Sequence, residues 1–283
     1  MSLFKRVASS LAVTALLVGG ILVGGRHPPS APVTGSLAAT VAGAALRADT
    51  IYVYQSDGQL NAKTDTALAF NWGGYADVSG GFNGPGETQF SAVSGTWRIP
   101  RVVCPTARTP GVGASDSIVA DWVGLDGFNS DTVEQLGSMS QCFQGRAFYY
   151  VWWEMYPGGS KTISSLVRPG DLISARVYSN NQDWYKLSLV DASTPEASFT
   201  TVQPGFGDAD SSAEWVVERP AYQIGITPMA DYGSTTFTNM QATADGPYAV
   251  YAMYTIDATD SYLLATVGAE VHQSFTSRWM GYY

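Results

Sequence analysis

The sequence predicts an all-β sandwich, and three observations lead to this prediction. Runs of about four to eight residues rich in Val, Thr, Tyr and Trp alternate with Gly, Pro, Asn and Asp, which is the pattern of short strands joined by turns. Beyond the apolar N-terminal stretch, no long segment has a helical period. Sheets with one apolar face must bury that face, so two packed sheets are the economical arrangement.

The chain begins with a stretch that is typical of a secretory signal. Lys5 and Arg6 precede the apolar run LAVTALLVGGILVGG within residues 1–25. A membrane anchor is the alternative, but the run is shorter than the roughly 20 residues that a span needs and is broken by glycines. We therefore expect a secreted, extracellular protein without membrane attachment after cleavage of the signal.

The remaining chain divides into two parts. Residues 26–69 are rich in Ala, Thr, Ser, Gly and Pro and are interpreted as a pro-region or linker with little structure of its own. Residues 70–283 are expected to form one sandwich domain with a sizeable core. The expected strands span 90–99, 117–125, 147–156, 172–178, 184–190, 197–202, 213–218, 248–256, 263–267 and 271–275.

The charge is distributed unevenly along the chain. All 24 acidic residues lie at or after Asp49, whereas four of the 15 basic residues precede it, so the processed chain carries 24 acids, 11 bases and a net charge of −13. Such a surface repels nucleic acid and anionic membranes, which excludes both as expected partners. The charge suits an acidic medium, and the solubility of a secreted protein explains it equally well. Nothing indicates an obligate partner, so a monomer is expected.

Cysteine and histidine are scarce. Cys104 and Cys142 are the only cysteines, and in an exported chain we expect them to form a disulfide worth about 4 kcal/mol rather than two buried thiols. The only histidines are His27, in the predicted pro-region, and His272, on a predicted strand. A Ser-His-Asp triad or a zinc site needs imidazoles. No metal or cofactor is therefore expected, and carboxylates and amides remain for catalysis.

Side chains alternate between the two faces of a strand, which places several carboxylates beside aromatic residues. In SAEWVVERP, Glu214 shares one face with Val216 and Glu218, while the adjacent Trp215 faces the other way. An acid beside a large aromatic can be partly desolvated, which raises its pKa from about 4.3. An exposed Glu beside a core Trp is the alternative interpretation.

Two further strands repeat this pattern. In WVGLDG, Trp122, Gly124 and Asp126 share a face, and in TVEQLG, Gln135 shares a face with Val133. The strand AFYYVWWEMYP has a row typical of a ligand groove, and NWGG adds one Trp among glycines. The residues of that row are Tyr150, Trp152, Glu154 and Tyr156, and the Trp of NWGG is Trp72. Taken singly, each of these features is equally typical of packing or of a solvated surface.

Taken in order, the blocks NWGGYA, VSGTWRIP, WVGLDG, EQLG, WWEMYP, AEWVVERP and ITPMADYGSTTF resemble those of the glutamic peptidases, or eqolisins, from Asn71 to the C-terminus. The resemblance implies a sandwich of two large antiparallel sheets, a concanavalin or lectin-like jelly roll, with a substrate cleft on one concave face. It implies an acid-active endopeptidase whose catalytic residues are Glu214 and Gln135. The resemblance implies that Trp72, Trp122, Asp126, Glu154 and Tyr156 line the cleft or support the catalytic pair, and Trp152 is expected to bind substrate as part of the aromatic row. Glu134, where an apolar residue is common, departs from the family pattern.

The chemistry of these residues fits peptide hydrolysis without a metal. An ionised Glu214 can take a proton from water and hand it to the leaving nitrogen, while the Gln135 amide can stabilise the oxyanion.

Two other functions are compatible with the pattern. A glycoside hydrolase would use Glu154 and Glu214, with their carboxyl groups roughly 5 to 5.5 Å apart. A carbohydrate-binding or protein-binding module would use only the aromatic row.

Overall fold

The computed structural model of the chain describes residues 51–54, 64–80, 85–104, 116–222, 225–257 and 262–281. Apart from one 3-10 turn at Pro195–Ala197, these residues form strands and loops, and none of them belongs to a helix long and apolar enough to span a bilayer. The predicted all-β class is therefore confirmed, while the predicted signal peptide at 1–25 lies outside the described residues. In chain order the strands are β1 (Ile51–Tyr54), β2 (Thr64–Ala69), β3 (Trp72–Val78), β4 (Phe90–Arg98), β5 (Ser117–Leu125), β6 (Val133–Phe143), β7 (Arg146–Tyr156), β8 (Lys161–Ser164), β9 (Leu172–Ser179), β10 (Trp184–Asp191), β11 (Phe199–Pro204), β12 (Ser212–Glu218), β13 (Ala221–Tyr222), β14 (Gly225–Ile226), β15 (Ser234–Ala244), β16 (Ala249–Ile256), β17 (Leu263–Val267) and β18 (Phe275–Trp279).

The strands form two layers. The first layer has the order β1-β2-β16-β3-β12-β5-β6-β7-β8, and the second has the order β11-β10-β9-β4-β15. Every pairing is antiparallel except that of β2 with β16. Strand β15 belongs to both layers. Its first half pairs with β18, which is connected through β17 to β16 of the first layer, and its second half pairs with β4 of the second layer.

The main core lies between the layers. It contains Trp97 of β4, Val123 of β5, Leu136 of β6 and Tyr185 of β10, all of which are buried. The opposite face of the first layer carries a second buried group that includes Trp122. Strands β5 and β12 are therefore buried on both faces, which explains why their sequences are apolar at most positions instead of alternating with charged residues.

One predicted strand is wrong, and several observed strands were not predicted. The segment 271–275 contains a turn in which Val271 N–H donates to Ser274 C=O, and His272 and Gln273 have positive φ angles of 52° and 60°. The last strand begins at Phe275, so His272 lies in this turn and not on a strand. Strands β3 and β15 were not predicted, and β6 was expected only through its first residues, TVEQLG. The exposed positions of β15 are Ser, Thr, Asn and Gln, and Ser and Asn are as typical of turns as of strands.

The segment 26–69 has more structure than its composition suggests. Strand β2 lies in it and pairs in parallel with β16, and Ala67, Leu68 and Ala69 are buried. The side chain of Leu68 packs with Phe70 and Ile256, so the short apolar run ALAF finds a partner that only the folded sheet supplies. The expectation of little structure is wrong for these residues, while the processing boundary stays a prediction.

The predicted disulfide is present between Cys104 and Cys142, with an S–S distance of 2.07 Å. It connects the segment after β4 to the end of β6, and it therefore ties the two layers together beside the main core.

Candidate active site

Four neighbouring strands bring polar side chains into one row on the outer face of the first layer. Glu214 of β12 pairs with Gly124 of β5, Gly124 pairs with Gln135 of β6, and Gln135 pairs with Glu154 of β7. Directly opposed residues of antiparallel strands point to the same face. Glu214, Gln135 and Glu154 therefore project together, away from the main core.

The space between Glu214 and Gln135 is one strand wide. Two strand spacings place their Cα atoms about 10 Å apart, and the residue between them is glycine. A Cβ on Gly124 would lie 2.9 Å from Cζ3 of Trp122 and 3.2 Å from Cβ of Gln135. The floor between the two side chains is therefore Gly124 and the edge of the Trp122 ring, and both side chains can reach a small molecule held above it.

Replacement of Gly124 by alanine tests this geometry. The added methyl group must displace the Trp122 ring or Gln135, and a displacement of about 1 Å at reacting groups costs up to about a hundredfold in rate. We expect kcat on a peptide substrate to fall by about tenfold to a hundredfold. The matched control is Gly268→Ala, because a Cβ there meets only the Thr276 backbone, with O at 3.4 Å and N at 4.0 Å. Equal activity of the two variants would contradict the proposed position of the reacting groups.

Several polar atoms of the row have no hydrogen-bond partner. Nε2 of Gln135 donates to Oε2 of Glu154 at 2.9 Å. Oε1 of Gln135 and both carboxyl oxygens of Glu214 are buried and make no hydrogen bond. Leaving such a group unsatisfied costs about 1 to 3 kcal/mol, so each one in a native structure calls for an explanation, and a catalytic role is one of them. The three atoms identify the side of the row on which a ligand would form hydrogen bonds.

Burial changes the ionisation of both carboxyl groups. It raises the pKa of Glu214 well above the usual 4.5, and the nearby charges of Asp126 and Asp77 raise it further. The adjacent Ser212 hydroxyl opposes this shift, although it forms no hydrogen bond of normal geometry with the carboxyl group. Burial also raises the pKa of Glu154 to about 7. Both side chains are therefore neutral in an acidic medium.

Two of the predicted cleft tryptophans lie next to Glu218, a half-buried acid on the same face as the row. Nε1 of Trp122 donates to Oε2 of Glu218 at 2.8 Å, and Trp72 packs edge-on against Trp122 with ring centroids 4.9 Å apart. Trp152 of β7 lies on the same face as Trp122 of β5, and Gly137 of β6 lies between them. Sequence reasoning did not count Glu218 as a site residue, although its even spacing from Glu214 places it on the same face.

Asp126 is placed differently from the other predicted cleft residues. Its side chain is fully buried, and it accepts hydrogen bonds from the backbone N–H groups of Asp210 at 2.8 Å and Ser211 at 2.7 Å. The hydroxyl of Ser130 donates to the same carboxylate at 3.1 Å. Asp126 therefore fixes the loop between β5 and β6 onto the segment that leads into β12. Tyr156, the last predicted cleft residue, is half-buried and pairs with Val133 at the same end of the row.

The loop between β5 and β6 crosses the Glu214 end of the row. Phe128 of this loop packs on Tyr251 of β16 with ring centroids 4.8 Å apart. Nδ2 of Asn129 donates to Ser79 C=O at 2.9 Å, just beyond the end of β3. This covering explains why Glu214 has no exposed surface. The sequence contains no signal for it, because the contacting strands are distant in the chain.

The register argues against the arrangement of a glycoside hydrolase. Glu154 and Glu214 lie three strand spacings apart, and Gln135 lies between them and is bonded to Glu154. The two carboxyl groups therefore do not face each other across a sugar-sized gap. Among the described residues, no group of three or more His, Cys, Asp and Glu side chains is arranged so that it could hold a metal ion.

Comparison with known proteins identifies the family. The sequence profile of the Peptidase A4 family matches residues 71–279. Aspergillopepsin-2 of Aspergillus niger is 25% identical over 203 residues, which cover 66% of this chain and 69% of that protein.

Solved structures show the same fold. Scytalido-glutamic peptidase, in a complex with a transition state analog inhibitor, is 19% identical with a TM-score of 0.56, covering 74% of this chain and 98% of that one. SCP-B, a member of the eqolisin family bound to the tripeptide Ala-Ile-His, is 18% identical with a TM-score of 0.55 and the same coverage of 74% and 98%. The resemblance inferred from the sequence motifs is confirmed: the chain belongs to the Peptidase A4 family and is a glutamic-type peptidase.

Proposed function

We propose that the chain is a secreted, acid-acting endopeptidase that cleaves polypeptides with Glu214, Gln135 and one water molecule. The observation that supports this most directly is the row in which Glu214 and Gln135 flank Gly124 with three unpaired buried oxygen atoms. Aspergillopepsin-2, scytalido-glutamic peptidase and SCP-B are peptidases by name, which supports a polypeptide substrate. Export is supported by the predicted signal at 1–25 and by the disulfide.

The raised pKa of Glu214 changes the expected first step. The sequence interpretation used an ionised Glu214, but burial favours the neutral carboxyl in acid. In the proposed step, one oxygen of Glu214 donates its proton to the substrate carbonyl oxygen. The other oxygen accepts a proton from the water that bonds to the carbonyl carbon, while Oε1 of Gln135 accepts a hydrogen bond from that water. The product is a neutral tetrahedral diol, and Glu214 is again protonated.

The second step uses the same two oxygens. Glu214 donates its proton to the amide nitrogen, the carbon–nitrogen bond breaks, and a diol hydroxyl returns a proton to Glu214. A carboxylic acid and an amine leave the site. Because the cycle begins with neutral Glu214, we expect activity at acid pH and its loss as the pH rises through the pKa of Glu214.

Glu154 is proposed as a positioning residue for Gln135. Its hydrogen bond from Nε2 fixes the amide so that Oε1 is free to face the water. We expect Glu154→Ala to lower kcat about tenfold or more with little change in KM. Because the pKa of Glu154 is about 7, the side chain is neutral at pH 4, and Glu154→Gln should restore most of the activity there. If kcat of Glu154→Gln at pH 4 is as low as that of Glu154→Ala, the proposed positioning role is wrong.

The function itself is tested with two substrates. The purified enzyme is incubated at about pH 3 to 4 with denatured protein and, separately, with common glucans. We expect acid-soluble peptides from the first and no reducing sugar from the second. Release of sugar, or of neither product, would overturn the proposed function.

A further inference from the structure

A cavity lies on the opposite face of β3 from the Glu214 row. It has a volume of about 430 Å³ and opens between the two layers of the sandwich. Its walls include Tyr75, Asp77, Trp215, Tyr248, Glu270 and Gln273. The proposed peptidase mechanism uses none of these residues.

The cavity results from the way in which β15 changes layers. The pairing of β15 with β18 ends at Phe237, and its pairing with β4 begins at Thr238. The register then shifts before Gln241, and Asn239 has a positive φ of 52°. Such a bulge bends a strand. The two layers therefore diverge at this point and leave space between β15 and β3.

Asp77 is an unpaired acid at the base of the cavity. It lies on β3, and its neighbours across the sheet are Ala213 of β12 and Val250 of β16. Its side chain faces the space between the layers and is only 8% exposed. Within the part of the chain that the structure describes, its carboxyl group makes no hydrogen bond. Buried carboxyl groups are normally hydrogen-bonded or paired with a cation. Burial first, and the charge of Glu270 second, raise its pKa to about 7.

Glu270 is held at the mouth of the cavity by a fixed loop. Its backbone N–H donates to the hydroxyl of Tyr75 at 2.8 Å, and that hydroxyl donates to Gly268 C=O at 3.0 Å. The backbone N–H of Gln273 donates to Oε1 of Glu270 at 2.9 Å. Among the described residues lining the cavity there is no Lys, Arg or His. The cavity thus carries two acids without a compensating positive charge.

We propose that this cavity binds an organic cation, an ammonium or guanidinium group on an apolar stem, with Asp77 at its base and Glu270 at its mouth. The aromatic side chains of Tyr75, Trp215 and Tyr248 suit both the charge, through cation–π attraction, and the stem. A calcium ion fits less well, because it takes six to eight oxygen ligands and the cavity offers two carboxyl groups. The site is separate from the peptidase row, since it lies on the other face of the same layer.

The direct test is calorimetric titration with n-butylguanidinium at about pH 5.5, using the neutral isostere n-butylurea as the comparison ligand. We expect saturable binding of the cation and at least about tenfold weaker binding of the urea, equivalent to about 1.4 kcal/mol. Because Asp77 must ionise to pair with the cation, a proton should be released on binding. The affinity should rise by up to about tenfold per pH unit below pH 7.

Variants assign the binding to the proposed residues. Asp77→Asn should weaken binding of the cation at least about tenfold, whereas Glu196→Gln, which removes an exposed acid on the far 3-10 turn, should leave it unchanged. Thermal unfolding of each variant verifies that it is folded. Three results would each overturn the proposal. They are equal binding of n-butylguanidinium and n-butylurea, undiminished binding of the cation by Asp77→Asn, and no saturable binding at 100-fold excess over the enzyme and up to about 0.1 M ligand.

A peptide pair distinguishes a free small cation from a polypeptide side chain. The probes are acetyl-Gly-Arg-Gly-amide and its counterpart with neutral citrulline in place of Arg. Tighter binding of the Arg peptide than of n-butylguanidinium would assign the site to a basic side chain, and weaker binding would assign it to a free amine or guanidine. Because a peptide can also bind at the Glu214 row, only the difference between the Arg and citrulline peptides that Asp77→Asn removes is assigned to this cavity.

Discussion

Replacing Glu214 with Gln is expected to lower kcat by about 10³-fold to 10⁴-fold while leaving the fold intact, because the amide cannot deliver the proton that the cleaved bond requires. The same is expected for Ala at this position. The side chain makes no hydrogen bond that the fold would lose. Hydrolysis of a chromogenic peptide at about pH 4 measures the effect, and thermal unfolding monitors the structure.

The equivalent change at the partner position is Gln135→Ala. It removes the acceptor for the water and the group bonded to Glu154, and we expect a loss of about 10²-fold to 10³-fold or more. The matched control is Glu134→Gln, which alters the preceding residue of the same strand on the opposite face. Near-normal hydrolysis by either Glu214→Gln or Gln135→Ala would refute the proposed catalytic pair.

Glu134→Gln is also expected to stabilise the protein at neutral pH. Glu134 is fully buried between the layers, and neither of its carboxyl oxygens makes a hydrogen bond. Burial, together with the charges of Asp126, Asp208, Asp210 and Glu214, raises its pKa to about 11. In the unfolded chain the pKa is near 4.5. The folded protein must therefore keep this carboxyl protonated at any pH at which it is stable.

The sign of the effect follows from this difference. Below about pH 4.5 both states are protonated, and Glu134 imposes no cost. Above that pH the unfolded chain ionises and the folded one does not, so the free energy of unfolding falls by about 1.4 kcal/mol per pH unit, or about 3 kcal/mol by pH 7. Gln does not titrate and should remove this dependence.

Denaturant unfolding at pH 3, 5 and 7 measures the difference between the wild type and Glu134→Gln. We expect the difference in the free energy of unfolding between the two proteins to be constant below pH 4.5 and to increase above it. Glu87→Gln, at an exposed position, is the control and should follow the wild type. A difference that is independent of pH would show that Glu134 is paired or solvated in solution.

Other acids that are buried or half-buried act in the same direction. Burial raises the pKa of Asp121 to about 8 and those of Glu218 and Glu154 to about 7. Folding therefore takes up several protons between about pH 4 and 7, and the protein should be most stable in acid. Most proteins contain carboxyl groups with lowered pKa values and lose stability in acid instead.

Much of the site could be predicted because strand periodicity depends only on local geometry. The shared faces of Glu214 with Glu218, and of Trp152 with Glu154, follow from the two-residue repeat of an extended chain. The register of β12, β5 and β6 could not be predicted in this way. It depends on which strands become neighbours, and it places Gly124 between Glu214 and Gln135.

The errors have physical causes of the same kind. Leu68 lies in a segment with the composition of a linker, yet it is buried because β2 pairs with β16 and its side chain packs against Phe70 and Ile256. Asp126 shares a face with Trp122 in an extended strand, but its φ is positive at 66° and its carboxylate accepts hydrogen bonds from the Asp210 and Ser211 backbone, so it anchors the loop between β5 and β6. Its role in the cleft stays a prediction. The sequence spacing contains no information about either contact.

The amino-acid sequence by itself determined the all-β class, the pairing of its only two cysteines, the family and the faces on which the acids and aromatics lie, because these depend on composition and short-range periodicity. Only the tertiary structure decided that Glu214 is buried beneath the loop carrying Phe128, that Glu134 is enclosed without a partner, and that β15 bends to open the cavity at Asp77. Desolvation, and the pKa shifts that follow from it, arise from packing between segments far apart in the chain, and no local pattern of residues encodes them.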